Sequence, residues 1–335
     1  MATSARPPVS AETRVPDFFI VGHEKCGTTA LFNILRQHPQ IFMPDLKEPR
    51  FFFRDRPQSD STKEWIGAGA DLRPGTLDAY LSLFADAGTE QRAGEASPQY
   101  IRSPDAARLI AQVQPGARII AVLREPTSLV QNFHLNNLLT LVEDERDLRK
   151  AIALEGQRRE GLHIPPGSRA PDRLFYCDHV RYGEQLQRLQ SHFPAEQIMV
   201  ILYDDFRRDN DGTARRVLRF LEIDDTHAFE LPHTSRDRKA VRSPRLHRAV
   251  LALQRARRRP AQAGRLSRTV EALTPGVLRN DAVENLVRRL VFSVPRPPDE
   301  QLLLELRGRF KPEVVALSEY LGRDLVREWG YERID

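Results

Sequence analysis

The stretch that decides the fold is Phe18-Phe19-Ile20-Val21-Gly22-His23-Glu24-Lys25-Cys26-Gly27-Thr28-Thr29. It begins with an apolar run typical of a buried strand, and helical spacing follows it from Ala30 to Gln37. Between strand and helix lies a loop flanked by Gly22 and Gly27. Backbone N–H groups in such a loop point at the N-terminus of the helix, where the helix dipole favours an anion. The stretch therefore predicts a site for a phosphate-like group.

The position of the lysine distinguishes this loop from that of nucleotide triphosphatases. Their loop reads G-x-x-x-x-G-K-[ST], with lysine directly after the second glycine. Gly22 and Gly27 have the same spacing here, but Thr28 stands at the lysine position and Lys25 lies inside the loop. This difference argues against a P-loop kinase or NTPase, which we keep as the first alternative.

The displaced lysine resembles the 5′-phosphosulfate loop of sulfotransferases that use 3′-phosphoadenosine 5′-phosphosulfate (PAPS). The longer match is similar to the carbohydrate (heparan-type) and bacterial branch of that family. It continues through Thr28-Thr29, Leu31, Leu35, His38-Pro39, Lys47-Glu48-Pro49-Arg50-Phe51-Phe52, Tyr182 to Leu186, Phe193-Pro194, Gln197 to Asp205 and Phe310-Lys311-Pro312. The resemblance implies transfer of a sulfonate group from PAPS to a hydroxyl of a sugar, a glycosylated compound or another small metabolite. No metal is implied.

The remainder of the chain alternates strand-like and helix-like segments. Apolar, β-branched runs at Arg118–Leu123 and Ile198–Leu202 are typical of buried parallel strands. Helical spacing occurs at about 105–113, 178–192 and 211–221, and Pro126 suits the first turn of a further helix. This alternation predicts an α/β fold with a P-loop-like central parallel sheet flanked by helices.

We expect one domain. A flexible N-terminal tail is predicted over residues 1–15 and the sulfotransferase domain over 16–335, with a helical C-terminal part from about 245. The length of 335 residues is enough to bury a full core.

The resemblance assigns the donor-binding residues. Lys25 is expected to face the leaving bridge oxygen of PAPS, and the 5′-phosphate and sulfonate are expected to be held by Lys25, Cys26, Gly27, Thr28 and Thr29. Arg124 directly follows a predicted strand, where open parallel sheets bind ligands, and its guanidinium can grip a phosphate with two hydrogen bonds. Arg124-Glu125-Pro126 resembles the start of the family's 3′-phosphate site. Asn132 stands where the family usually has a serine, and its amide can still donate. The alternative is that Arg124 pairs with Glu125 or caps a sheet edge.

Glu48 is the predicted general base, because it matches the glutamate of the carbohydrate-type Glu-x-x-Phe-Phe motif. Burial beside aromatic residues 51–53 is expected to raise its proton affinity. The alternative is that Glu48 pairs with Lys47 or Arg50 on the surface. Back-up bases and substrate contacts are Glu95 and His134, with Phe52 as a further substrate contact.

Two single positions carry further expectations. Ala96 replaces a lysine that related carbohydrate enzymes often carry, which weakens the case for a highly anionic glycan acceptor. Cys26 lies at a helix N-terminus, where a thiol is expected to be acidified. We interpret it as a loop filler and not as a nucleophile.

The composition narrows the class of protein. A net charge of +5 suits anionic ligands but makes nucleic acid an unlikely partner, although a basic stretch at 236–259 keeps a nucleic-acid or anion-binding protein as the second alternative. Two cysteines argue against a disulfide framework. The absence of a signal peptide, membrane-length apolar run or metal-ligand spacing predicts a cytoplasmic enzyme that needs no metal. The acceptor and the oligomeric state do not follow from the sequence.

Overall fold

A computed structural model describes residues 14–53, 74–166, 168, 170–231, 240–241, 247, 291–293 and 299–334. Most of the predicted tail, most of the predicted helical region after 245 and most of the basic stretch 236–259 lie outside these residues. Contacts divide the chain into two compact units. The first comprises 1–129, 181–234 and 311–333, and the second 130–180, 235–310 and 334–335. The prediction of one domain stays a prediction.

The described residues form the following regular elements. The strands are β1 (Phe18–Gly22), β2 (Ile41–Phe42), β3 (Arg92–Ala96), β4 (Arg118–Leu123), β5 (Ile198–Leu202), β6 (Ala240–Val241) and β7 (Phe292–Ser293). The α-helices are α1 (Thr28–Leu35), α2 (Leu77–Leu81), α3 (Ala106–Val113), α4 (Pro126–Leu139), α5 (Leu148–Ala153), α6 (Glu155–Arg159), α7 (Tyr182–Gln190), α8 (Tyr203–Arg208), α9 (Asn210–Phe220), α10 (Glu300–Leu321) and α11 (Leu325–Glu328).

The first unit is built on a five-stranded parallel sheet in the order β2-β3-β1-β4-β5. β1 is central, and all five of its residues are buried, which explains its unbroken apolar sequence. β3 approaches β1 closely, because Gly94 pairs with Phe18 and a Cβ at Gly94 would lie 2.1 Å from the Phe18 ring. The predicted α/β fold with a central parallel sheet is confirmed.

Several elements differ from the sequence-based expectation. The predicted helix at 178–192 begins only at Tyr182, after a 3-10 turn at Tyr176–Val180. Helix α8 starts directly after β5 and was not predicted, nor were the two-residue strand β2 and the antiparallel pair β6–β7. Strands of two residues are too short to show a period, so only pairing across the chain reveals them.

The second unit contains a buried ion pair. The Arg158 guanidinium donates to both carboxylate oxygens of Glu143, at 2.7 and 2.8 Å, and both side chains are almost fully buried. The Tyr176 hydroxyl and the N–H groups of Asp144 and Glu145 also donate to this carboxylate. Burial opposes ionisation of Glu143, but these hydrogen bonds outweigh it and keep its pKa below the ordinary value.

Candidate active site

The sheet places four chain segments at one edge. Because β3, β1, β4 and β5 are parallel neighbours, their carboxyl ends meet there. The residues that follow these ends are Ser97, the loop 23–27, Arg124 and Tyr203. The predicted donor loop and the predicted 3′-phosphate arginine are therefore brought together.

The loop after β1 turns tightly into α1. The His23 N–H donates to the Val122 carbonyl at 2.6 Å, and the Cys26 N–H donates to the His23 carbonyl at 3.2 Å. Lys25 is exposed and has a φ of 66°, and Gly27 has a φ of 84°. A left-handed conformation is routine for glycine and uncommon for lysine, so the loop carries strain at Lys25.

No side chain among the described residues caps the N-terminus of α1. Gly27 is its N-cap residue, so no side chain caps the helix, and its first turn contains no acidic residue. Thr28 is buried and Thr29 is exposed. The first N–H groups of the helix are thus suited to an anion from outside the chain.

Arg124 is buried, and none of the described acidic residues pairs with it. Its Nη1 donates to the Lys25 carbonyl at 3.2 Å, and its guanidinium lies 4.3 Å from the centre of the Tyr203 ring. Its Nε is buried without a hydrogen bond, and no carboxylate forms an ion pair with it in the described part of the chain. The Tyr182 hydroxyl holds the Arg124 carbonyl at 2.6 Å, which fixes the backbone. A buried, uncompensated guanidinium is expensive unless an anion joins it.

Glu125 does not serve as the partner of Arg124. Its carboxylate accepts hydrogen bonds from Thr127, from the Ser128 N–H and from the Tyr331 hydroxyl. These donors occupy both oxygens of the carboxylate, and two of them are N–H groups in the first turn of α4. The alternative interpretation, an Arg124–Glu125 pair, is therefore not what the structure shows.

Glu48 lies in a half-buried cluster of charges. Lys47 donates to its Oε1 at 2.9 Å, Arg50 donates to its Oε2, and the Gln99 amide also donates to Oε2 at 3.1 Å. Burial pushes the pKa of Glu48 up, but the charges and hydrogen bonds of Lys47 and Arg50 prevail and hold it at about 2. The predicted rise in proton affinity is wrong, because the neighbouring cations outweigh the aromatic surroundings.

Next to Glu48, Glu95 has a raised proton affinity. It lies one residue before the end of β3 with its side chain fully buried, and its Oε2 accepts hydrogen bonds from Tyr80 at 2.8 Å and Tyr100 at 3.0 Å. Burial raises its pKa to about 7, although hydrogen bonds from Ser97 and the two tyrosines act in the opposite direction. Glu95 is thus divided between its two protonation states near neutral pH.

Cys26 is not acidified. Burial raises the pKa of its thiol to about 12, and the nearby Arg124 charge offsets only part of this rise. The expectation from the helix N-terminus is wrong because the side chain is fully desolvated. This burial agrees with the interpretation of Cys26 as a loop filler.

The remaining predicted residues occupy other positions. Phe52 is 1% exposed and packs against Phe19, Tyr80 and Tyr100, with ring centres 5.2 to 6.1 Å apart. His134 and Asn132 lie on α4 in the second unit. His134 is buried, and its Nε2 forms a 2.8 Å hydrogen bond with the Glu145 carbonyl. The substrate contacts predicted for Phe52 and His134, and the phosphate contact predicted for Asn132, stay predictions.

Sequence reasoning missed four residues of this region. Tyr203 stacks on Arg124, Tyr182 fixes the Arg124 backbone, Gln99 binds Glu48, and Tyr80 binds Glu95. The sequence could have indicated Tyr203 and Tyr182, because Tyr203 directly follows the predicted strand β5 and Tyr182 begins α7. No feature of the sequence indicated Tyr80, because its partner Glu95 is 15 residues away along the chain.

Two absences hold for the residues that the structure describes. In that part of the chain, no group of three or more His, Cys, Asp or Glu side chains is arranged to hold a metal ion. None of the helices described is both long and apolar enough to span a bilayer.

Comparisons with known proteins identify the family. The sulfotransferase domain model matches residues 15–239, more than half of the chain. The chain therefore belongs to the sulfotransferase domain family, and the predicted resemblance is confirmed. Human heparan sulfate glucosamine 3-O-sulfotransferase 3B1 is 24% identical over 214 residues, which cover 64% of this chain and 48% of that protein. Human carbohydrate sulfotransferase 15 is 29% identical over 252 residues, covering 62% of this chain and 44% of that protein.

The matches thus span less than half the length of these two curated relatives. The crystal structure of a sulfotransferase from Alicyclobacillus acidocaldarius has the same fold, with a TM-score of 0.64 at 24% identity, covering 93% of this chain and 97% of that chain. The comparisons do not support the two alternatives, a P-loop kinase or NTPase and a nucleic-acid-binding protein.

Proposed function

We propose that the protein transfers a sulfonate group from PAPS to a hydroxyl of a sugar, a glycosylated compound or another small-metabolite acceptor. The observation that carries the proposal is the buried Arg124, which pairs with no acidic residue among those described, next to the uncapped N-terminus of α1. The N-terminus of α1 and Arg124 follow the ends of the neighbouring strands β1 and β4, and both can bind an anion. This pair suits a nucleotide with phosphate groups at two positions. Membership of the sulfotransferase family favours PAPS over a nucleoside triphosphate.

The residues of the chain fit this donor. The N–H groups at the start of α1, with the hydroxyls of Thr28 and Thr29, would hold the 5′-phosphate and sulfonate, and Arg124 would hold the 3′-phosphate. The side chain of Lys25 would face the leaving bridge oxygen. PAPS supplies an activated sulfonate, and the proposal requires no metal ion.

Glu48 would take the proton of the acceptor. The acceptor oxygen forms a bond to sulfur, the bond from sulfur to the bridge oxygen breaks, and the hydroxyl proton passes to the Glu48 carboxylate. With a pKa of about 2, Glu48 is ionised throughout the neutral range and ready to accept, although it is a weak base. Placement and charge on the leaving group would then supply most of the catalysis, as in phosphoryl transfer.

The names of the curated relatives support the proposed acceptor class. Two relatives have names that specify a glucosamine 3-O-position and a carbohydrate. A sugar hydroxyl is therefore the first acceptor class to test, and a cytoplasmic location stays a prediction.

The test combines binding and turnover. Purified protein should bind adenosine 3′,5′-bisphosphate (PAP) in calorimetry and should transfer sulfonate from labelled PAPS to a member of a sugar panel. Lys25→Ala should lower turnover far more than PAP affinity, because its charge matters mainly as the bond breaks. Lys150→Ala, which alters an exposed lysine on α5, is the matched control. Folded protein that binds neither PAP nor PAPS would rule out the proposal.

A further inference from the structure

The segment that carries the proposed base has an unusual backbone. Glu48 and Arg50 have φ values of 61° and 54°, so two nearby residues with side chains adopt the left-handed conformation. Such a conformation persists only where surrounding contacts hold it. The contacts that hold it here identify a further functional residue.

Three N–H groups at alternate positions tie this segment to the last residue of β3 and to the residues after it. They run from Glu48 to the Ala96 carbonyl at 3.1 Å, from Arg50 to the Ser97 hydroxyl at 3.0 Å, and from Phe52 to the Tyr100 hydroxyl at 3.2 Å. One acceptor is a backbone carbonyl, which can only accept hydrogen bonds. The other two are hydroxyl oxygens, which accept from the segment only while their own protons point elsewhere.

The proton of the Tyr100 hydroxyl points at Glu95, because Tyr100 donates to Glu95 Oε2 at 3.0 Å. An ionised carboxylate accepts only, so it orients this hydroxyl with a lone pair toward the N–H group of Phe52. A protonated Glu95 has lost its charge and is a weaker acceptor, so it holds this orientation less firmly.

Resting on the proposed function, we infer that Glu95 is the positioning residue for the base: through Tyr100 it holds the segment 48–52 in the conformation that presents Glu48. Glu95 is fully buried and has no exposed surface, so it acts through the Tyr100 hydroxyl and not on the acceptor. This role differs from the back-up base and substrate contact that the sequence suggested.

The inference predicts a pH-dependent segment. The groups facing Glu95 are Tyr80 on α2, Ser97 and Tyr100 on the chain after β3, and the charge of Glu48. Because burial raises the pKa of Glu95 to about 7, the carboxylate form is lost as the pH falls through about 7, and the segment should become less ordered over the same range. Turnover should fall over the same range.

Two tyrosines provide a matched pair of variants. Tyr80 and Tyr100 both donate to Glu95 Oε2, but only Tyr100 also accepts from Phe52. Tyr100→Phe removes both interactions, and Tyr80→Phe removes only one. Hydrogen exchange of the Phe52 amide, measured without any acceptor, should be faster in Tyr100→Phe and not in Tyr80→Phe. Tyr80→Phe should instead raise the pKa of Glu95, because its carboxylate loses a hydrogen-bond donor, and the pH at which turnover is half-maximal should rise with it.

Glu95→Gln and Ser97→Ala complete the test. Glu95→Gln should remove the pH midpoint near 7 and lower kcat by roughly 10- to 100-fold through a misplaced base, with PAP affinity within about threefold of wild type. Ser97→Ala should speed exchange at the Arg50 amide. The inference is overturned if the Phe52 amide exchanges equally fast in the two tyrosine variants. It is also overturned if the pH midpoint of turnover near 7 persists in Glu95→Gln. If the exchange results hold but no acceptor is sulfonated by wild type, the proposed function fails and the positioning of the segment stands.

Discussion

Replacing Arg124 by methionine should weaken nucleotide binding without destabilising the unliganded protein. The guanidinium is buried and has no carboxylate partner in the described structure, so it contributes little to folding. Its loss removes a stacking contact with Tyr203, worth about 0.5 to 2 kcal/mol, and one hydrogen bond to a carbonyl, worth about 1.5 to 3 kcal/mol. Relief from burying an uncompensated charge, several kcal/mol in proteins, acts in the opposite direction. The free energy of unfolding should therefore change by no more than about 2 kcal/mol.

The effect on the nucleotide should be much larger. Two charge-assisted hydrogen bonds to a 3′-phosphate, at about 1.5 to 3 kcal/mol each, correspond to a loss of at least roughly 100-fold in affinity. AMP, which lacks that phosphate, should lose little affinity. The preference for PAP over AMP should therefore nearly disappear in Arg124→Met, as measured by calorimetry with both nucleotides.

Arg158→Met is the matched control for stability. It also removes a buried arginine, but one that is paired with Glu143 through two hydrogen bonds. Breaking such a pair costs about 3 to 5 kcal/mol, which urea denaturation resolves. The reasoning fails if Arg124→Met destabilises the unliganded protein as much as Arg158→Met does, or if the preference for PAP over AMP survives.

The remaining predictions concern the base and the thiols. Glu48→Gln should lower kcat by roughly 100- to 10,000-fold with little change in PAP affinity, and an activity within tenfold of wild type would exclude Glu48 as the base. The pKa of Glu48 is held at about 2 by two cations, so removing both with Lys47→Ala and Arg50→Gln should raise it. Glu95→Gln removes the other titration, so in that background the decrease of kcat at low pH should move to higher pH. A decrease that stays at the same pH would contradict the assignment of Glu48 as the base. Burial raises the pKa of both Cys26 and Cys177 to about 12, so neither thiol should react quickly with Ellman's reagent at pH 8 until urea unfolds the protein. Rapid labelling of native protein at Cys26 would show that the loop opens.

The local part of the structure could be predicted from the sequence. The run from Phe18 to Thr29 predicted β1, the loop and the start of α1, because apolar periodicity and glycine spacing act over a few residues. Arg118–Leu123 and Ile198–Leu202 likewise predicted β4 and β5 at their observed positions. Because Arg124 directly follows β4, its position in the sequence also predicted that it would lie at the edge of the sheet where the loop 23–27 lies.

Only the tertiary structure decided the protonation and the partners of the site. Glu48 and Glu95 both lie near aromatic residues, yet the pKa of Glu48 is about 2 and that of Glu95 about 7. Lys47 and Arg50 surround one carboxylate, whereas tyrosines at 80 and 100 enclose the other. Desolvation and charge act through space, and the groups that set them are brought together by folding. The sequence therefore determined the framework and its anion-binding edge, and packing determined which carboxyl group is ionised.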